Sequence, residues 1–396
     1  MKILTVIGTR PDAIKLLPVH IAAKAIGIES VLCSTAQHIG MLDQVLDIFK
    51  VTPDFNLQVM QNNQDLFHVT NNVLIRMKEV LNAVKPDLVL VQGDTTTSFA
   101  TALAAFYLKI PIGHVEAGLR TGSMYAPYPE EMNRRFIGMV AMYHFAATSL
   151  NVANLLSEGI GRARIILTGN TVVDALYTII EQIRQGHIKI SPPLKELIED
   201  LKSKDKTIVL LTAHRRESFN GGLHNIFRAV QEIALLHPEI AFIYPHHPNP
   251  HVQKALTETN ISKSSGIHLL PPLNYSDLVY CLLESTWVAT DSGGIQEEAI
   301  SLGKQVIILR ELTERIEGVW ANMAYLTGTN TNNIIKHMNS VHLQQKHFSA
   351  TNIYGDGQAS KKIASFIGAI RQEQQQAIGA LNALIQQQPP YENTNP

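Results

Sequence analysis

The chain has 396 residues and a formal net charge of -1, with 33 lysines and arginines against 34 aspartates and glutamates. This balance offers no electrostatic footprint for nucleic acid or an anionic membrane surface, and 45% hydrophobic residues exclude disorder as the main state. Only two cysteines occur, Cys33 and Cys281, far apart and without zinc-ligand spacing, which speaks against a disulfide scaffold or a structural zinc site.

The run Lys2-Ile3-Leu4-Thr5-Val6-Ile7-Gly8 lacks a small-residue cleavage site and reads as a first β-strand, not a signal peptide. No apolar stretch reaches the length of about 18 residues that spans a bilayer, so a cytoplasmic protein is expected. Short β-branched runs follow at Ser30–Ser34, Leu88–Val91, Ile112–Val115, Ile165–Leu167, Ile208–Leu211, Ala241–Tyr244, Trp287–Thr290 and Val306–Leu309. Between them, segments such as Thr95–Leu108, Asn170–Ile183 and Gly222–Leu236 carry apolar residues at helical spacing. This alternation predicts α/β architecture with parallel sheets covered on both faces. It occurs twice, on either side of a charged stretch at Lys189–Lys206. Two Rossmann-like, doubly wound domains are expected, 1–168 and 169–357. A C-terminal helical segment at 358–385 is expected to rejoin the first, and a Pro/Asn-rich flexible tail to follow at 386–396.

In open parallel sheets ligands bind beyond the carboxyl ends of the strands, and polar residues gather at those ends here. The exits carry Gly8-Thr9-Arg10-Pro11-Asp12, Thr35-Ala36-Gln37-His38, Gln92-Gly93-Asp94, Glu116-Ala117-Gly118, Thr212-Ala213-His214-Arg215, Pro245-His246-His247 and Asp291-Ser292-Gly293-Gly294. Two sheets contribute them, so a cleft between facing domains is the simplest geometry. In the last exit Ser292 is placed to cap the following helix. The two glycines would admit a phosphate to its free N–H groups, and Glu298 lies one turn in, near a ribose. Arg10 and Lys15 suit a diphosphate, because as cations near a helix N-terminus they oppose its dipole and need another reason to be present. Asp94, Glu116 and Glu130 are singly ordinary caps or surface acids; together at one sheet edge they can supply a general acid and a general base. His214 is a candidate proton donor or leaving-group partner.

Other chemistries find no support. His246, His247 and His251 do not form an H-E-x-x-H helix, so no catalytic metal is expected. Gly303-Lys304 lacks the earlier P-loop glycine, and no G-x-G-x-x-G follows the first strand, which argues against a nicotinamide cofactor. No cofactor is expected.

Taken together, GTRPDAIKLLP at 8–18, TAQH at 35–38, QGDTTTSFATALAAFYLKIPIGHVEAGLRTG at 92–122, PYPEEMNR at 127–134, TGNTVVDAL at 168–176, TAHRRESF at 212–219, HPNP at 247–250, TDSGGIQEEA at 290–299 and LTERIEGV at 312–319 resemble the non-hydrolysing bacterial UDP-N-acetylglucosamine 2-epimerases. The likeness runs over about residues 1–370. It implies the GT-B fold, a nucleotide sugar held between the domains, and reversible conversion of UDP-GlcNAc to UDP-ManNAc by elimination of UDP and re-addition, in service of bacterial surface polysaccharide. Carried onto these motifs, Asp94, Glu116 and Glu130 resemble the acid/base set, and His214 and Arg10, with Lys15, the diphosphate partners. Ser292, Gly293, Gly294 and Glu298 resemble the diphosphate and ribose contacts, and Arg315 completes the cage. The resemblance also implies a homodimer and a second, activating UDP-GlcNAc near Gln37, His38, Gln64, Arg215 and His247. Ile316 stands where the family often has Pro, and Asn63 where an Arg is common. An epimerase of UDP-2,3-diacetamido uronic acids and a GT-B glycosyltransferase are the neighbouring alternatives.

Overall fold

The computed structural model describes residues 1–35, 40–59, 65–344, 346 and 348–386. Gln37, His38 and Gln64 therefore lie outside the described residues, as does the tail from residue 387.

Two all-parallel sheets organise the chain. The first contains β1 (Lys2–Ile7), β2 (Glu29–Ser34), β3 (Phe55–Asn56), β4 (Leu88–Gln92), β5 (Ile112–Ala117), β6 (Tyr143–Ala146) and β7 (Ile165–Leu167), in the order β3-β2-β1-β4-β5-β6-β7. The second contains β8 (Thr207–Thr212), β9 (Ile240–Pro245), β10 (Ile267–Leu270), β11 (Trp287–Thr290), β12 (Gln305–Ile308) and β13 (Ala324–Leu326), ordered β10-β9-β8-β11-β12-β13. Each sheet reverses direction beside its first strand, between β1 and β4 and between β8 and β11, which is where doubly wound sheets open a crevice for ligand.

The strands expected from sequence are all present. Four others, β3, β6, β10 and β13, have two to four residues and sit at or next to sheet edges, where short runs carry little periodic signal. The charged stretch at Lys189–Lys206 is not a bare connector: Pro192–Ser203 forms a helix that buries Leu194, Ile198 and Leu201. Spacings of four and three place these on one face while the charges face solvent.

The core runs without a break between the sheets. Helix Thr171–Arg184 buries Val172, Val173, Leu176, Ile179 and Ile180. It touches helices Arg10–Ala25 and Ala359–Gln386 as well as helices Tyr275–Glu284 and Gly293–Ser301 of the second half. Each such side chain contributes about 1.5–3 kcal/mol on burial, which makes this helix a hub between the halves. The C-terminal segment is one long helix, Ala359–Gln386; its Phe366 packs edge-on against Tyr143 and Phe145 of β6. Among the described residues, no helix is long and apolar enough to cross a membrane.

Candidate active site

The carboxyl ends of the two sheets face each other across a cavity of about 590 Å³. From the first half Arg10, Lys15, Asp94, Glu116 and Glu130 line it; from the second come His214, Arg215, His247, Ser292, Gly293, Gly294, Glu298 and Arg315. Every candidate site residue within the described part of the chain thus reaches one space, although the residues are up to 305 positions apart (10 to 315).

Glu116 is the centre of the polar network. It has a left-handed backbone, φ +63°, and the β5–β6 register shifts between Val115 and Ala117. A bulge of this kind re-aims a side chain at a strand end, and a non-glycine residue there costs about 1–3 kcal/mol unless its surroundings hold it. They do. Lys15 Nζ lies 2.6 Å from Glu116 Oε1, Arg315 Nη2 3.3 Å and Asn170 Nδ2 2.8 Å, while Gln92 donates to Oε2. Burial works to raise the Glu116 pKa, but the charges of Lys15 and Arg315 outweigh it and hold the carboxyl below its ordinary value. Lys15 is thus engaged by a carboxylate at the cavity wall, which supplies a reason for a cation in the first turns of helix Arg10–Ala25. The helix start itself is closed by Asp12, whose Oδ2 accepts from Gly8 N at 3.1 Å and Thr9 N at 3.0 Å, and whose pKa burial raises to about 6.

Arg315 ties this network to the second half. Buried to 5% exposure, its guanidinium meets Glu116, Glu297 at 2.9 Å and Glu314. Burial disfavours its charge, and the three carboxylates more than restore it. Asn170 Nδ2 also donates to Glu297 Oε1 at 2.9 Å. Glu297 is pushed upward, by burial first and by the Glu116 charge besides, with Arg315 pulling the other way. Two carboxylates sharing one guanidinium and one amide are thus held with separated proton affinities.

Asp94 and Glu130 form a second acidic pair. Asp94 is ion-paired to Arg134 and its carbonyl accepts from Asn133 Nδ2 at 2.9 Å, so two residues of helix Glu130–Val140 fix the β4 exit. Glu130 opens that helix and buries an Oε2 that has no hydrogen-bond partner. Burial and the neighbouring Asp94 charge raise its pKa. Glu131, fully buried, holds Arg134 and Arg135 at 3.2 and 3.0 Å from behind.

On the opposite wall, Ser292 occupies the N-cap position of helix Gly293–Ser301, yet its side chain makes no capping hydrogen bond, contrary to the sequence expectation. The two glycines also serve different ends: a Cβ on Gly293 would run into the Arg315 guanidinium, whereas one on Gly294 would meet open space. Glu298 accepts from Tyr275 Oη at 2.7 Å and is raised to about 7 by burial. Arg10 donates to Leu273 O at 3.1 Å across the cleft, and burial lowers its pKa against the pull of Tyr275 and Glu298. Asp291 accepts from the His214 and Arg215 backbone N–H groups at 2.6 and 2.7 Å, holding the β8 exit. The His214 ring stacks on that of His247 with centroids 5.4 Å apart, and Nδ1 lies 3.6 Å from Asp291 Oδ1.

Sequence reasoning did not single out Glu297, Glu314, Arg134, Asn170, Tyr275 or Asp291. Glu297, Glu314, Arg134 and Asp291 lie one to four residues from residues that were named, and that proximity was their signal; Asn170 lies in the quoted motif at 168–176, far from any named site residue, and Tyr275 lies outside the quoted motifs.

Two facing doubly wound sheets with an uncapped helix start on one side and paired carboxylates on the other define a GT-B-type protein with a nucleotide-sugar style of cleft. The sequence profile of the UDP-N-acetylglucosamine 2-epimerase family matches residues 21–368. The chain is 45% identical over 368 residues to the UDP-N-acetylglucosamine 2-epimerase of Escherichia coli K12, covering 92% of this chain and 97% of that protein. Among solved structures it is similar to the Neisseria meningitidis UDP-GlcNAc 2-epimerase bound to UDP-GlcNAc, with TM-score 0.86, 43% identity and coverage of 93% and 99%. The Methanocaldococcus jannaschii enzyme in complex with UDP-GlcNAc and UDP matches with TM-score 0.81, 31% identity and coverage of 93% and 100%. The chain belongs to the UDP-N-acetylglucosamine 2-epimerase family.

Proposed function

We propose that this protein reversibly converts UDP-GlcNAc to UDP-ManNAc by elimination of UDP and re-addition. The carrying observation is the single cavity in which carboxylates of separated proton affinity, from the first sheet, face an uncapped helix N-terminus and His214 from the second. The C2 proton of the sugar lies beside an acetal carbon and is not acidic. Breaking the C1–O bond develops positive charge at C1 and acidifies C2–H. Glu116, kept ionised by Lys15 and Arg315, is suited to stabilise that positive charge. Glu130, raised by burial and by Asp94, is suited to exchange the C2 proton on one face of the sugar, and Asp94 is assigned as the second acid/base group, so that one takes the proton and the other returns it on the opposite face. The Ser292–Gly294 helix start, Arg10 and His214 are suited to the departing diphosphate, and Glu298 to the ribose.

In this reading residues 1–168 form the sugar-side domain, 358–385 pack onto it, and 169–357 form the UDP-side domain. Arg215 and His247, on the rim beside His214, are assigned to a second, activating UDP-GlcNAc. A homodimer is supported by exposed Phe67, Ile75, Phe106, Tyr107 and Met139 on three successive packed helices, Leu66–Val84, Thr96–Tyr107 and Glu130–Val140. The protein is placed in the cytoplasm, where UDP-sugars are made.

Proton NMR of UDP-GlcNAc with the purified protein in D2O tests the reaction. The expected result is new UDP-ManNAc anomeric signals with deuterium entering C2 of both epimers. Unchanged, undeuterated UDP-GlcNAc would overturn it, and free ManNAc with UDP would replace epimerisation by hydrolysis.

A further inference from the structure

Three side chains that the proposed chemistry leaves unused meet at the opposite edge of the second sheet. His237 ends helix Gly222–Leu236, Glu239 immediately precedes β9, and His342 projects from helix Thr331–Gln344, which packs on the first helix. The cleft lies beyond the far end of β9, a strand of six residues or roughly 20 Å away. One ligand-capable atom from each residue lies within 4.8 Å of the other two. His237 Nδ1 is 3.2 Å, and His342 Nε2 2.7 Å, from the same Glu239 Oε1.

His237 Nε2 lies 2.7 Å from Asn339 Oδ1, so the ring is held from behind while its Nδ1 faces Glu239. His342 Nε2 converges on that oxygen as well. A divalent cation would take all three, with Asn339 orienting His237 from behind, as second-shell acceptors do for metal-bound histidines. A tetrahedral site with metal–nitrogen bonds of about 2.0–2.1 Å has ligand atoms about 3.3 Å apart; here the two nitrogens lie 3.2 and 2.7 Å from the carboxylate oxygen and all three atoms lie within 4.8 Å of one another, so side-chain adjustments of about an ångström would form it.

We propose that His237, Glu239 and His342 bind a borderline divalent cation of the zinc class, with solvent completing the coordination. The ion cross-links helix Thr331–Gln344 to the start of β9 and stabilises the second half without entering the reaction. His342 is 6% exposed and Glu239 lies at the surface, so the site opens to solvent on the Glu239 side.

The test uses full-length protein without a polyhistidine tag, stripped with a chelator and titrated with Zn2+ alone. Calorimetry is expected to find a saturable site of one zinc per chain with micromolar or tighter affinity, and the melting temperature is expected to rise by several degrees. His237→Gln and His342→Gln should lose both effects. Glu239→Gln, at an exposed position where folding is not at risk, should weaken zinc at least tenfold while the zinc-free melting temperature stays unchanged. Absence of saturable binding would overturn the proposal. So would binding that all three variants retain, which would place zinc on other histidines, such as those of the cleft.

Discussion

Arg315 decides how the acidic residues of the cleft divide their protons. Its guanidinium touches Glu116, Glu297 and Glu314, and with Arg310 it holds Glu314, despite burial, far below the usual carboxylate range. Glu116 is thereby held ionised in the unliganded cleft, the state that the proposed elimination assigns to it. Glu116→Gln is expected to cut kcat by roughly 10²–10³-fold, the scale of losing one preorganised electrostatic stabiliser, with UDP binding by calorimetry little changed; a variant with near-normal kcat would remove Glu116 from the chemistry. Glu130 has the opposite environment, and its upward shift comes from burial first and the Asp94 charge second. Removing that charge in Asp94→Asn should therefore lower the Glu130 pKa. The check is carbon-13 NMR titration of labelled glutamate, with the Glu130 signal assigned by its absence in Glu130→Gln. A Glu130 pKa that stays put or rises would show that Asp94 does not act on it through charge.

Among the elements, the start of helix Gly293–Ser301 shows how one short motif carries two requirements. Gly293 is needed by the protein, because a Cβ there would displace Arg315; Gly294 borders open space in the cleft. Gly293→Ala is expected to destabilise by about 1–3 kcal/mol, the usual cost of overpacking a rigid site, and to lower kcat as Arg315 moves off Glu116. Gly294→Ala should leave the melting temperature equal or slightly higher, since alanine favours helix over glycine, while weakening UDP. Equal behaviour of the two variants in melting and UDP calorimetry would refute this division. In the sequence the motif Asp291-Ser292-Gly293-Gly294 was legible as a ligand-binding helix start, but the reason for Gly293 was not, since Arg315 arrives from a loop 22 residues on. The same holds for Lys15: its conflict with the helix dipole was visible, whereas its partner Glu116 lies 101 positions away and comes near only through the β1–β4–β5 order.

For the whole molecule, the alternation of strands and helices was enough to reveal two doubly wound sheets, because buried parallel strands are continuous apolar runs. The hub role of helix Thr171–Arg184 was not legible, since its apolar face looks the same whether it covers one sheet or joins two. Nor was the fate of the histidines. His20 and His114 are lowered to about 4 and His144 to about 3, by burial in each case and for His144 by His114 and Arg164 besides. Unfolded, each would titrate near 6.5, so between pH 6.5 and the folded values the unfolded state binds more protons and stability falls as pH falls. Asp12, raised to about 6, and Glu298, raised to about 7, work in the other direction, since their folded forms hold protons that the unfolded chain has released. The net slope of the wild type mixes these opposing groups, and only a difference against a variant isolates one of them. His144→Leu removes the strongest of the depressed imidazoles from a fully buried position on β6. Relative to wild type, the variant should gain on the order of 2 kcal/mol between pH 8 and pH 5. The measurement is the melting temperature of both proteins across that range, and the gap in favour of the variant should widen steadily below pH 6.5. A gap that stays constant would mean that His144 is protonated in the folded protein and finds an anionic partner there.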